Sequence, residues 1–427
     1  MDKFLICLMI ASSCLAAQIF TIDIKIMHLS LYRGTLLVAI FYHLLTSFKN
    51  NNRITLSSRK VSDVYFRFYF FWFVYSLFTL GWVHAYFAWA RAIFFIGSGF
   101  FGILLINKYV KTREDFKIVF IIMIIMVIFH NGIGWRELLT GDYYFANLAK
   151  IDRYNQFPTN PKVRVPVSLF ANPNNYATFM LAGVFISYIN FSNSKNKFIK
   201  VFFLTVLISS ITLIIRSNSR ANILGLIIGL GLMLLLKYLK KIKVKKFLIL
   251  IGVLVVFLLF PNLFKILFTT VTGKLQFDFG RASGSEMVRL NLIRNGLEFL
   301  KDTSGFGTGA GNIEYWMTNK GIYYVSNIAN IHSWWMEILV GYGIFIFIGY
   351  IVIYSSLVKN FYKASIESDD KFVRETSLGF FGFMIAFIVG SISSSSNISA
   401  EWLWVLWGII IAFTSYIERE TYLDNAM

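Results

Sequence analysis

The chain has 427 residues, of which 57% are hydrophobic and 15% charged, and a formal net charge of +19. A soluble domain carries about a quarter charged residues, so a water-soluble globule is excluded and the apolar excess needs lipid as its solvent. The basic residues fall mostly in short loops between apolar runs. The positive charge therefore reads as membrane topology and attraction to anionic lipid, and no nucleic acid is expected as a partner.

Twelve apolar stretches follow one another, near 4–22, 29–48, 64–84, 88–106, 116–134, 176–191, 198–215, 221–236, 247–268, 333–358, 377–396 and 401–417. Each comes close to what a hydrocarbon core of about 30 Å requires of a helix. The expectation is an all-α polytopic membrane protein of twelve transmembrane helices, with 1–427 as one integral membrane domain. The first stretch mimics a secretory leader, with Lys3 before it and Ala16 and Ala17 near its end, but the topology works best if it is retained. Cys7 and Cys14 lie two turns apart on one side of that stretch, which excludes a disulfide framework and leaves packing as their role.

Charge orients the spans. With the N-terminus in the cytoplasm, the inner loops are 49–63, 107–117, 192–200, 237–246 and 359–375, which carry four, four, three, six and four Lys or Arg. The short outer connections near 21–28 and 85–87 carry one and none. Both termini then lie in the cytoplasm. Two outer loops are long, 135–175 and 269–332, and loops of such length are more often functional than idle.

The second long loop contains a helical pattern. From Ser285 to Lys301, Leu290, Ile293, Leu297 and Leu300 form an apolar stripe flanked by Arg289 and Arg294. This suits an amphipathic helix lying on the outer membrane face, either as an anchor or with its arginines in a site. Beyond it, Gly305, Gly307, Gly309 and Gly311 alternate without the strand–helix surroundings of a dinucleotide fingerprint. Such glycines let backbone approach a ligand or a helix, or form a flexible loop.

The five histidines show no metal-ligand spacing, and no Walker motif or serine-hydrolase elbow is present. No metal site is expected. His332 closes the long outer loop just before a span. A lone histidine there is usually structural, yet an interfacial imidazole titrates near neutrality and suits proton transfer from a sugar hydroxyl. Arg216 and Arg220 bracket a tight outer turn, and Arg33 and Arg91 sit about one turn inside the outer ends of their spans. Arginine inside a span is costly. Either these side chains snorkel to the interface, or they converge on a phosphate, which guanidinium groups bind in bidentate fashion.

Four stretches carry a resemblance: Ser219-Arg220-Ala221-Asn222 opening a span; Arg289 in the amphipathic helix, followed by Gly305-Phe306-Gly307-Thr308-Gly309; His332-Ser333 before a span with Gly341-Tyr342-Gly343; and Phe170 to Tyr176 entering another. In order and spacing, over roughly 165–360, the chain resembles the O-antigen ligase and polymerase superfamily of bacterial envelope enzymes, and by the stretch NIHSWWMEILVGYGIF it most resembles the teichuronic-acid and capsule polymerases of Gram-positive bacteria within it. The resemblance implies an inverting, metal-independent glycosyltransferase of the bacterial plasma membrane that needs no cofactor. Its donor would be an undecaprenyl-pyrophosphate-linked oligosaccharide and its acceptor a glycan, with a flippase and a chain-length regulator as partners. It assigns the basic residue to His332 and pyrophosphate binding to Arg220 and Arg289; Arg216, Arg91 and Arg33 rest on topology alone. Tyr143, Tyr144, Trp316, Tyr323, Tyr324, Trp334 and Trp335 are candidate glycan contacts, with the aromatic belt as the competing account. Polymerase and ligase stay undecided at this level. A lipid-linked oligosaccharide flippase is the rival from another class, disfavoured because the spans' inner halves are nearly free of charge.

Overall fold

The computed structural model describes residues 2–15, 22–24, 27–49, 62–152, 155–238, 285–325 and 328–426. The predicted ninth span (247–268), residues 239–246 of the most basic inner loop and residues 269–284 of the second outer loop lie outside the described residues. The helices are α1 (Asp2–Ser13), α2 (Leu31–Lys49), α3 (Ser62–Phe78), α4 (Tyr86–Tyr109), α5 (Arg113–Thr140), α6 (Leu148–Ile151), α7 (Pro173–Asn193) and α8 (Lys197–Arg216). They continue with α9 (Arg220–Tyr238), α10 (Ser285–Asp302), α11 (Ile313–Lys320), α12 (Trp334–Glu367), α13 (Lys371–Gly390) and α14 (Glu401–Ala426). Two three-residue strands, β1 (Ile22–Ile24) and β2 (Met27–Leu29), pair antiparallel with Asp23 opposite His28.

Each of the other eleven apolar stretches meets one of these helices. Among the described residues, seven helical stretches are long and apolar enough to cross a bilayer, namely α4, α5, α8, α9, α12, α13 and Asp63–Gly81, which is α3 with the short 3-10 turn that follows it. The chain is therefore a helical membrane protein. Two boundaries differ from the sequence reading. α1 ends at Ser13, and the paired strands β1 and β2 fall between it and α2. α13 ends at Gly390, because the serines that follow turn back to bond other loops.

Local chemistry sets several helix ends. Thr112 and Asp115 form a reciprocal capping box at the start of α5, and Gly141, at φ +81°, ends that helix in the left-handed region. Asn172 caps α7, with Pro173 in its first turn.

α13 is the central helix, 83% buried over its apolar window, and it packs against α7, α9 and α12. By contrast α8 is only 28% buried against the other described residues. α9 reaches α13 closely because Gly225 and Gly229 lie one turn apart on the shared face. A Cβ on Gly225 would stand 2.4 Å from the Ala386 carbonyl, and one on Gly229 would stand 2.6 Å from that of Gly382. Small residues at this spacing let membrane helices meet backbone to backbone. An aromatic cluster joins α3, α12 and α14, with the Trp72 ring 5.3 Å from Tyr342, 5.7 Å from Trp404 and 6.0 Å from Tyr350.

α10 matches its predicted start and runs one residue past the predicted end. The face it packs is not the predicted stripe. Leu292, Asn295 and Phe299 are buried against Trp316, Met317, Ile331 and Val340, whereas Leu297 is exposed. The rest of the predicted stripe, Leu290, Ile293 and Leu300, is half-buried beside that packed face.

A candidate active site at the outer end of the bundle

The end of the bundle that the charge pattern assigns to the outside holds a cavity of about 760 Å³. That falls within the usual range of small-molecule sites, roughly 300–1,000 Å³. Its wall is built from the first turns of α2, α4, α7, α12 and α14, the end of the glycine-rich segment, and residues 395–400.

Residues 391–400 organise this end. Asn172 donates to the Ser395 hydroxyl (3.0 Å). Asn175 donates to the Ser395 carbonyl (3.0 Å) and accepts its N–H (2.9 Å). The Ser219 and Ser393 hydroxyls lie 3.4 Å apart, and Asn222 bonds Asn174, Thr178 and Ser219. Trp334 donates its backbone N–H to the Ser391 carbonyl at 3.0 Å. Glu337, one turn into α12, accepts the Asn397 N–H at 3.1 Å. Three stretches recognised separately in the sequence therefore close on one serine-rich turn.

The glycine-rich segment is ordered backbone. Gly305, Gly307, Gly309 and Gly311 all have positive φ. The segment lies against a break in α12, where Gly343 adopts φ 81°, ψ 177°. Thr308 donates its N–H to Val340 (2.8 Å) and Gly309 to Gly341 (3.0 Å), while Ile344 donates to Gly305 (2.9 Å). A Cβ on Gly307 would stand 2.6 Å from the Gly343 nitrogen, so only glycine permits this approach. Of the two readings of the alternating glycines, close approach to a neighbouring helix is the one found.

His332 follows directly on a cavity-wall loop. It is half-buried, with φ +51°, in the left-handed region where histidine is among the few non-glycine residues enriched. Its N–H donates to Asn330 Oδ1 at 2.9 Å. Asn330 also donates to Ser396 Oγ (2.9 Å) and Glu314 Oε1 (3.4 Å), and all three of these residues line the cavity. Burial, and then the positive charge of Arg289, hold the His332 imidazole below its ordinary pKa. A depressed pKa keeps the ring neutral near pH 7, the form that can take a proton.

The arginines distribute unevenly. Arg33 and Arg91 line the cavity. Arg33 is 4% exposed; its Nε is 2.7 Å from Glu401 Oε1 and its Cζ is 4.8 Å from the centre of the Phe95 ring. Arg91 is exposed. Arg289 is exposed on α10 and is felt by His332. Arg220 is exposed at the start of α9, beside Ser219. Arg216 points to the first outer loop, 3.4 Å from the Pro161 carbonyl and 3.5 Å from that of Lys162. His332, Arg220, Arg289 and Arg216 are not part of the cavity wall itself.

None of the seven aromatics marked as candidate glycan contacts lines the cavity. Trp316, Trp334 and Trp335 are buried in packing, and the rings in the wall are Phe95, Phe170, Tyr342 and Trp402. Sequence reasoning also passed over Asn330, Glu337, Glu401 and the serines. One signal was available. Residues 391–400 contain no charge and three apolar residues between two spans, a polar run with no reason to lie at membrane depth unless it lines a site.

Residues 204–351, from α8 through the break in α12, match the O-antigen ligase family. The chain is also 29% identical over 98% of its length to the teichuronic acid biosynthesis protein TuaE of Bacillus subtilis, covering 86% of that protein. The chain is thus a helical membrane protein whose residues 204–351 are similar to the O-antigen ligase family and which is related to a protein of teichuronic acid biosynthesis.

Proposed function

We propose that the protein polymerises lipid-linked oligosaccharide repeat units at the outer face of the bacterial plasma membrane, as an inverting glycosyltransferase that needs no metal or cofactor. The observation that carries this reading is the place of His332, half-buried and hydrogen-bonded to Asn330 of the cavity wall, where burial and then Arg289 hold its pKa below the ordinary histidine value. The acceptor hydroxyl attacks the anomeric carbon of the undecaprenyl-pyrophosphate-linked donor. A new C–O bond forms, the bond from the anomeric carbon to the pyrophosphate oxygen breaks, and its electron pair leaves with the pyrophosphate. His332 orients the hydroxyl and takes its proton. Arg220 and Arg289 offset the charge that grows on the leaving group, where fixed cations act most strongly. Arg91 brings an exposed cation to the cavity wall, Arg33 is paired there with Glu401, and Arg216 holds the adjoining turn to the first outer loop.

The name of the relative speaks for polysaccharide biosynthesis, and experiment separates chain growth from a single transfer. The test is purified protein with synthetic lipid-linked repeat units, without added ATP and with a chelator present. A ladder of products is expected. A single product made only when a distinct acceptor is supplied would point to a ligase, and movement of the lipid-linked unit without bond formation would point to a flippase.

A further inference from the structure

We infer that Asn330 is a positioning residue, holding His332 in its working conformation and tying it to the cavity wall. The inference rests on the functional reading of His332 given above. Two non-glycine residues here adopt left-handed backbone, His332 at φ +51° and Ser396 at φ +52°. Such conformations persist only where the surroundings hold them. One side chain joins both, because the Asn330 carboxamide accepts the His332 N–H and donates to the Ser396 hydroxyl, each at 2.9 Å. The Ser396 end is itself fixed from α12. Glu337, 5% exposed, accepts the backbone N–H of Asn397 and so pins the turn next to Ser396. A closed circuit results, running from His332 through Asn330, Ser396 and Asn397 to Glu337, and back along one helical turn to His332.

The chemistry of the amide suits this role. It is a donor and an acceptor on one short rigid side chain. Alanine loses both ends of the bridge, and aspartate keeps the acceptor for His332 while the Ser396 hydroxyl must turn to donate to the carboxylate. A base displaced by about 1 Å loses on the order of a hundredfold in rate, whereas the arginines that hold the donor are on other elements. The circuit should therefore act on turnover and leave donor affinity alone.

The experiment uses full-length protein in nanodiscs with a synthetic lipid-linked repeat unit, comparing wild type, Asn330→Ala, Asn330→Asp, Ser396→Ala and His332→Ala. Asn330→Ala should lower kcat roughly 10- to 100-fold with KM for the donor within about threefold. Asn330→Asp should recover part of that loss, and Ser396→Ala, which cuts one end of the bridge, should fall between wild type and Asn330→Ala. Thermal midpoints measured alongside separate loss of fold from loss of rate. Wild-type kcat in Asn330→Ala overturns the inference, as does an Asn330→Asp protein no better than Asn330→Ala. His332→Ala tells the two levels apart: if it keeps the wild-type rate, the reading of His332 itself falls. A dead His332→Ala beside a fully active Asn330→Ala removes only the positioning role.

Discussion

Arg33 Nε and Glu401 Oε1 stand 2.7 Å apart, both buried in the wall of the cavity and 368 positions apart in the chain. Ser30 donates to the same carboxylate oxygen at 2.7 Å. This pair ties the start of α2 to the start of α14. Removing one member of a buried pair leaves an uncompensated charge and costs about 3–5 kcal/mol, while replacing both by apolar groups is often neutral. Arg33→Met and Glu401→Gln should each lower the thermal midpoint in detergent, and Arg33→Met combined with Glu401→Leu should recover most of the loss. If Arg33→Met left the midpoint unchanged and weakened only donor binding, Arg33 would be a ligand contact instead of a strut.

The pH dependence of turnover has a definite sign. Burial and Arg289 both push the His332 pKa down, so with His332 as the proposed base turnover should persist to a pH below the ordinary histidine value. Replacing Arg289 by Gln removes a neighbouring positive charge, relieves the imidazolium and moves the acid limb of kcat to higher pH. Arg289→Lys keeps most of the charge and should leave the limb in place, while still impairing transfer because the bidentate fork is lost. A limb that moves equally in both variants would show that the charge of Arg289 does not act on His332.

Packing of α9 on α13 predicts a contrast between glycines of one helix. Gly225→Val and Gly229→Leu force a side chain against carbonyl oxygens of α13 and should destabilise by about 1–3 kcal/mol or more. Gly231, with nothing within 4 Å of its would-be Cβ, should accept alanine without loss. Thermal unfolding of the three variants in one detergent decides this, and a tolerated Gly229→Leu would contradict the close crossing.

The first outer loop hangs on one carboxylate. Glu137 accepts the N–H of Val167 at 2.7 Å and that of Ser168 at 2.9–3.0 Å, near the end of α5. Nearby, Arg164 donates to the carbonyls of Leu139 at 2.8 Å and Phe157 at 2.9 Å. Glu137→Ala should free this loop, so that trypsin added outside intact protoplasts cuts at Lys162 or Arg164 faster than in wild type. Cleavage that occurs only in inverted vesicles would reverse the orientation, and with it the location of the site.

Much of the scaffold was legible because hydropathy is a local property. Each span had to carry its own run of apolar residues, and α10 declared itself by a 3–4 spacing of leucines. What α10 buries was not legible, since Leu292, Asn295 and Phe299 mix a polar residue into the packed face. Asn295 is there because its side chain bonds the backbone of Ile322 and Tyr323. The motif residues were readable one by one, and their meeting place was not. Serines and asparagines in 391–400 have no period, and their partners lie on α7, α9 and α12. Glu401 looked like the start of a span until Arg33 was found beside it. Reach across the fold, rather than spacing along the chain, decides those contacts.

The break at Gly343 bears on how this scaffold could be re-engineered. Because the glycine-rich segment hydrogen-bonds to Val340, Gly341 and Ile344, the natural seam of the second outer loop lies inside α12, past His332. A chimera that exchanged only residues 285–332 with a relative would cut through these bonds and mate a foreign loop to the wrong half-turn. An exchange that carried the chain on through Ile344 would move the loop, its histidine and its docking groove as one cassette, and should be the transplant that keeps its activity while changing its sugar preference.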